Sequence, residues 1–238
     1  MMTTDETRLQ QEALAWARRN KKSFGRAQTN REKFPPEKKP VTIFMAGSPG
    51  AGKTEVSESL AEILAQDKGD SVLLVDPDQY RTRFESYDGS NSWIFQPAVS
   101  VLVEKVFDLA LKQKQSFILD GTLSNFQKAS HNIERCLGRG REVLILYVYQ
   151  DPFLAWQFVQ AREAMEGRRI LKEHFIEQYF AAREAVNCLK ANFGSQITVD
   201  LVVKNMDNGL QFYQGNVDSI DHHVPERYTL EALTLQLP

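Results

Sequence analysis

Eight consecutive residues, Gly47-Ser48-Pro49-Gly50-Ala51-Gly52-Lys53-Thr54, constrain this chain more than any other segment. They satisfy the pattern G-x-x-x-x-G-K-[ST] in full. They stand between the apolar run at 41–46, which reads as a buried parallel strand, and a stretch with helical spacing. The composition has a physical reason. Glycines let the backbone curl until successive N–H groups point at phosphate oxygens, and the helix that follows adds its positive end. Lys53 is positioned to reach the β- and γ-phosphates of a triphosphate, and the Thr54 hydroxyl to ligate Mg²⁺. A bare strand-to-helix turn explains the glycines but neither the lysine nor the threonine. A guanine-reading N-K-x-D-like segment is missing from the sequence, which favours ATP over GTP.

The alternation of apolar runs and helical spacing continues along the chain. A helix fits 52–66 and a strand 71–76; residues 80–95, polar and aromatic around Gly89, read as a mobile loop. A helix over 97–113, a strand over 116–120, a helix over 124–137 and a strand over 142–149 follow. Helices at 152–165 and 171–192 precede a strand at 197–204, and the tail suggests one more strand and a terminal helix. Strands alternating with helices predict an α/β fold, a doubly wound parallel sheet with right-handed crossovers. Upstream, residues 5–20 carry Leu9, Ala13 and Trp16 at helical spacing, with acidic residues first and basic ones last. Residues 21–40, basic and bearing Pro35, Pro36 and Pro40, read as a linker. The expected division is an N-terminal helix and basic linker (1–40), a nucleotide-binding core (41–205) and a strand/helix extension (206–238).

With 238 residues, 42% apolar and 25% charged, the chain has the balance of one globular unit. No apolar run is long enough to span a bilayer, and the first residues are polar and acidic, unlike a secretory leader. Cys136 and Cys188 are the only cysteines, which excludes a disulfide scaffold and fits a reducing compartment. The expectation is a cytoplasmic protein. Residues 1–40 hold ten Lys/Arg against five Asp/Glu, a net of +5, which leaves −7 for the rest of a chain whose net charge is −2. Aromatics do not interleave the basic residues as stacking sites require, so this arm reads as a solvated helix and linker. The acidic main unit argues against a nucleic-acid partner. His131, His174, His222 and His223 show no metal-ligand spacing. Of the tryptophans, Trp93 in the polar loop is the one positioned to touch a substrate.

Carboxylates follow two of the expected strands. In parallel α/β sheets the C-terminal strand ends line the ligand crevice, so Asp76 and Asp78 are candidates to face a γ-phosphate and take a proton from an attacking hydroxyl. Pro77 between them fixes the turn, so the two acids differ in direction. Helix capping and catalysis both fit Asp76, whereas Asp78 fits catalysis better. Asp120, which ends the strand at 116–120, suits an acid acting on Mg²⁺ through water or on the substrate; it also suits a cap. Thr122 offers a hydroxyl close by. Downstream, Arg162, Arg168 and Arg169 surround Gly167. Helix, glycine and helix describe a lid, and guanidinium groups stabilise the spread charge of phosphoryl transfer. A solvated charged turn is the alternative.

Taken together, GSPGAGKT, then Asp76-Pro77-Asp78-Gln79-Tyr80-Arg81, then Glu104 sixteen residues before Asp120-Gly121-Thr122, then Arg162 and Gly167-Arg168-Arg169, resemble the zeta toxin family. The resemblance covers about residues 40–205. It implies a P-loop kinase fold and a bacterial toxin that phosphorylates a hydroxyl of UDP-N-acetylglucosamine or a related UDP-sugar with ATP and Mg²⁺. Carried over by position, Lys53 and Thr54 match the phosphate and magnesium contacts, and Asp78 matches the general base. Glu104, Asp120 and Thr122 match positions that hold the UDP-sugar, with Asp120 replacing a glutamate. Arg162 and Arg168 match the pair that neutralises the γ-phosphate. The N-terminal helix has a counterpart near the antitoxin-binding side, which implies a small antitoxin as partner or restraint in cis by residues 1–35. Departures concern the acceptor. Phe84-Glu85 stand where members often carry His-Pro, Leu123-Ser124 where the archetype has Gly-Arg, and Leu171 where the lid usually has proline. An antibiotic or metabolite kinase resembling chloramphenicol phosphotransferase, and a non-catalytic ATP-binding switch, are the alternatives.

Overall fold

Side chains of the run at 41–46 alternate between two apolar layers, which makes this run the middle of a sheet covered on both faces. In the computed structural model, which describes residues 2–69, 71–207 and 209–238, it is β1 (Val41–Ala46). The other elements are α1 (Thr4–Gln28), α2 (Lys53–Lys68), β2 (Leu73–Val75), α3 (Pro77–Arg81), α4 (Ser92–Lys112), β3 (Phe117–Leu119) and α5 (Phe126–Leu137). After them come β4 (Glu142–Tyr149), α6 (Pro152–Glu166), α7 (Lys172–Phe193), β5 (Thr198–Lys204), β6 (Leu210–Gln214) and α8 (Leu230–Gln236). The order across the sheet is β2-β3-β1-β4-β5-β6, parallel except for β6, which runs antiparallel to β5. The doubly wound α/β architecture is the one the sequence predicts.

Ile43 and Met45 of β1 join Ile118, Leu146 and Val148 in a layer covered by Val56, Leu60 and Leu64 of α2. Phe44 and Ala46 face the opposite way, into a larger core with Leu102, Val106 and Phe107 of α4, Ile133 of α5 and Val186 and Leu189 of α7. Burying a side chain of this size contributes about 1.5–3 kcal/mol, so the two layers fix the register of the strands and hence the position of the loops at their ends. Arg141 ties the opposite ends together: it donates to Thr42 Oγ1 at 2.8 Å and to the Gln115 carbonyl at 2.6 Å, with its guanidinium over Phe117. Among the described residues no helix is long and apolar enough to cross a membrane.

Two expectations are corrected here. The N-terminal helix does not stop at residue 20; α1 continues to Gln28, through a segment that reads as linker. Its basic residues hide a narrow buried stripe of Ala13, Ala17, Phe24 and Gly25, and this stripe packs on α4 and its neighbours. Trp16 meets the Phe84 ring edge-on at 5.5 Å and Phe24 meets Tyr80 at 4.9 Å. The chain leaving α1 is also held, because Gln115 Nε2 donates to the carbonyls of Thr29 and Phe34 at 3.1 and 2.6 Å.

The second correction concerns residues 80–95. Tyr80 and Arg81 complete α3, α4 begins at Ser92, and Phe84, Ile94 and Phe95 are buried. Phe84 stacks on Phe95 at 5.1 Å and Tyr87 meets it edge-on at 5.9 Å. Phe84, Tyr87 and Phe95 pack this segment together, with Phe84 meeting Trp16 of α1, while Trp93 stays exposed and lines the cleft described below. At the far side, α8 places Leu233 and Leu237 in a third apolar cluster with Trp156, Val159, Phe175 and Tyr179, so the tail braces α6 and α7.

Candidate functional site

The phosphate loop connects β1 to α2. Gly50 has φ 73°, and a Cβ there would stand 2.1 Å from the Ala155 carbonyl of α6, so only glycine fits. Gly47 N donates to the Thr122 carbonyl at 3.2 Å, which links the loop to the segment after β3. Ser48 is buried, and its carbonyl accepts from Lys53 Nζ at 2.7 Å. Ala51 N donates to the same carbonyl at 3.3 Å. Pro49, Gly50, Gly52, Lys53 and Thr54 line a cleft of about 1290 Å³. A single small-molecule site occupies roughly 300–1,000 Å³, so this cleft has room for two ligands. Burial lowers Lys53 to about 8, with Asp120 acting against the shift and the guanidinium of Arg168 adding to it.

The acids after β2 and β3 divide the work. Asp76 is the N-cap of α3 and accepts from Asp78 N at 2.7 Å, with Pro77 in the first turn. Burial, then the neighbouring Asp78 charge, raise Asp76 to about 6. The same turn projects Asp78 into the cleft. Asp120, also buried, accepts from Thr54 Oγ1 at 3.0 Å through Oδ2. Burial raises its pKa, while the Lys53 ammonium and the Thr54 hydrogen bond act to lower it. A threonine hydroxyl and a carboxylate beside a phosphate loop are hard oxygen donors of the kind Mg²⁺ takes.

Beyond α6 the chain turns at Gly167, whose φ is 73° and whose added Cβ would stand 2.9 Å from the Asp88 carbonyl. The lid segment 167–171 therefore lies against the turn that precedes α4. Arg168, the next residue, donates to Asp78 Oδ2. Arg81 donates to Asp78 Oδ1 from the other side, and also to Gln96 Oε1 of α4. Arg162 of α6 lines the same cleft and contributes to the field at Lys53.

The structure thus brings Lys53, Thr54, Asp78, Asp120, Thr122, Arg162 and Arg168 to one cleft. Glu104 is not among them. It lies in the interior of α4 and accepts from Arg135 Nη1 of α5 at 2.6 Å, in a cluster with Asp108. The acceptor-holding role that resemblance implies for Glu104 gains nothing from this placement. Arg81, which holds Asp78, and Gln96, which accepts from Arg81, are not legible as site residues; the one available signal is that Asp78 and Arg81 stand three apart in a helical turn. His174 also lines the cleft, as do Met2 and Glu6 of the N-terminal segment, which reach it because α1 lies alongside α4.

Comparison with known proteins agrees with this fold. The chain has the fold of the PezAT chromosomal toxin–antitoxin system of Streptococcus pneumoniae, with TM-score 0.56 and 15% identity, covering 100% of this chain and 88% of that one. It matches the AvrRxo1-ORF1:AvrRxo1-ORF2 complex with sulphate ions at TM-score 0.61 and 16% identity, covering 97% of this chain and 73% of that one. The corresponding complex with ATP matches at TM-score 0.60 and 16% identity, with the same coverage of 97% and 73%. No curated protein matches the chain. The family model described as Zeta toxin matches residues 26–218, which take in the phosphate loop, both acids and the lid, and the chain belongs to the zeta toxin family.

Proposed function

We propose that this protein is an Mg·ATP-dependent kinase that phosphorylates a hydroxyl of a small molecule and acts in the cytoplasm as a zeta-type toxin. The observation that carries the reading is the convergence of Asp78 and Arg168 on the cleft that Lys53 and Thr54 line. In this reading the phosphate loop cradles the triphosphate and Lys53 meets its β- and γ-phosphates. Thr54 and Asp120 would hold Mg²⁺, which would supply charge neutralisation at the phosphates. Asp78 accepts the proton of the attacking hydroxyl, and Arg162 and Arg168 stabilise the migrating phosphoryl group. Complexation of a related fold with ATP supports the choice of nucleotide.

For the acceptor, family kinship suggests a hydroxyl of UDP-N-acetylglucosamine or a related UDP-sugar, with Thr122 contacting it. A second reading, a kinase of antibiotics or other metabolites, is favoured by one observation: Leu123-Ser124 present a hydroxyl where a guanidinium would grip an anionic acceptor, and Ser124 Oγ lies 3.0 Å from Thr122 Oγ1. Incubation with Mg·ATP and a panel of UDP-sugars and other alcohols, read by mass spectrometry, tests both. A product heavier by about 80 Da, the mass of a transferred phosphoryl group, identifies the acceptor. Binding of ATP with no acceptor-dependent ADP release would support a switch instead.

A small antitoxin is the proposed protein partner, in keeping with the toxin–antitoxin assemblies that share this fold. The start of α1 is the proposed contact, because Met2 and Glu6 reach the cleft rim and a partner seated there would obstruct it. Co-purification with a small protein encoded beside it, lost on substitution of exposed residues at the start of α1, is the expected result.

A further inference from the structure

The lid is anchored by a part of the chain beyond the segment that the zeta toxin model matches, which ends at residue 218. α8 has seven residues, too few to hold as a helix by itself, so it stays folded by what it packs on. Leu233 and Leu237 are buried in one cluster with Ala155, Trp156 and Val159 of α6 and Phe175 of α7. Ile170 of the lid packs on the same cluster. Polar contacts fix the tail as well. Tyr228 Oη donates to Asp151 Oδ2 at 3.0 Å, while Asp151 Oδ1 caps the first turn of α6. Trp156 Nε1 donates to the Pro238 carbonyl at 3.2 Å. Lys172 opens α7 directly after the lid, and its Nζ donates to the carbonyls of Thr234 and Leu237 at 3.4 and 3.1 Å. An ammonium there answers the open carbonyls and the negative end of α8.

The two helices held in this way are the ones between which the lid is strung. Ala155 and Val159 are also the residues that close on Gly50 of the phosphate loop. Arg168 stands two residues before Ile170 and four before Lys172, so its reach to Asp78 depends on where those two are fixed. We infer that, within the kinase reading above on which this rests, residues 228–238 are a strap that positions the lid. Lys172 and Leu233 are its positioning residues, and they act through Arg168. With the strap seated, the guanidinium is already at Asp78 and little ordering of 167–171 remains when ATP arrives. With the strap loosened, Arg168 samples other positions, and transfer slows while the phosphate loop still holds nucleotide.

The test uses the full chain. Lys172→Met keeps the aliphatic stem and removes the donors to α8, and Lys172→Arg keeps donors there. In the nucleotide-free proteins, backbone amides at 167–172 are expected to exchange hydrogen about fivefold faster in Lys172→Met, with β1 and α4 unchanged and Lys172→Arg close to wild type. Leu233→Ala, which removes the buried anchor instead of the polar one, should give the same pattern. Unchanged exchange at 167–172, or acceleration spread over the whole chain, overturns the inference whether or not the protein transfers phosphate. Single-turnover loss of labelled γ-phosphate from Mg·ATP, with UDP-N-acetylglucosamine present, should slow about tenfold in Lys172→Met at ATP affinity within about threefold. In an Arg168→Ala background the same substitution should cost less than about twofold, because the group it positions is gone. An equal loss in both backgrounds overturns action through Arg168. Wild-type protein that binds Mg·ATP but transfers no γ-phosphate overturns the kinase reading, and the exchange result then decides the strap.

Discussion

Arg168 of the lid and Asp78 of α3, ninety residues apart in sequence, form an ion pair across the mouth of the phosphate-loop cleft. The carboxylate that is best placed to take a proton is therefore held by the arginine that is best placed to meet a γ-phosphate. A γ-phosphate carries more charge than a carboxylate and competes for the same guanidinium. On the proposed reading, closure on ATP and exposure of Asp78 Oδ2 to an acceptor would be one event.

Replacing Arg168 removes both halves of that exchange. Arg168→Ala is expected to slow phosphoryl transfer by about 10²–10³-fold, the usual cost of losing one charge-stabilising donor, while ATP affinity changes by only a few-fold. Arg168→Lys should recover little, because a point charge lacks the planar fork. Single-turnover rates and equilibrium nucleotide binding check both expectations.

Arg81 acts differently. It is buried, bridges Asp78 to Gln96, and so holds the proposed proton acceptor against α4. Arg81→Ala is expected to cost about 2 kcal/mol, less than a fully buried pair because Asp78 is partly exposed, and to lower Tm by about 4–8 °C. Thermal melts read the stability, and transfer should fall with ATP affinity nearly unchanged.

Much of this arrangement is legible in the residues alone. The phosphate loop is readable because every one of its fixed positions answers to a phosphate contact, and β1 to β5 because each is a short, mostly buried apolar run, unlike the exposed edge strand β6. Asp78 and Asp120 follow from the rule that strand C-terminal ends face the crevice. What escapes is tertiary. Nothing local says that Phe24 and Gly25 continue a helix beneath basic neighbours, since their burial depends on α4. The segment at 80–95 looks loop-like until Phe84 and Tyr87 are seen to pack on Phe95, one stacked and one edge-on. Glu104 is drawn to Arg135 on another helix, a partner that spacing cannot reveal.

Asp76 gives the fold a pH dependence. Its pKa is raised from 3.8 to about 6, chiefly by burial, so its contribution to stability is fully present below 3.8 and is lost as pH rises through about 6. Asp76→Asn keeps an oxygen for the cap and removes the titration. The variant is expected to melt about 5 °C above the parent at pH 8, on the order of 2 kcal/mol, with the difference closing by pH 4. Melting curves across that range check the sign.

Lys53 provides a test in the alkaline range. With its pKa lowered to about 8, mainly by burial, the amine is largely neutral at pH 8.5. A bound triphosphate favours the ammonium, so ATP binding should take up a fraction of a proton there, and affinity should weaken as pH rises from 7 to 9. Calorimetry in buffers of different ionisation enthalpy measures the uptake, which Lys53→Met should abolish.

The most direct measurement is single-turnover transfer of a labelled γ-phosphate to acceptor by wild-type protein and Asp78→Asn at matched nucleotide occupancy. Both proteins are expected to bind ATP within about threefold of each other, and transfer by Asp78→Asn to be slower by about 10²–10⁴-fold, the usual contribution of a general base. Near-normal transfer by Asp78→Asn, or failure of the wild-type protein to bind adenine nucleotide, would contradict the assignment of Asp78 and the phosphate loop to one phosphoryl-transfer site.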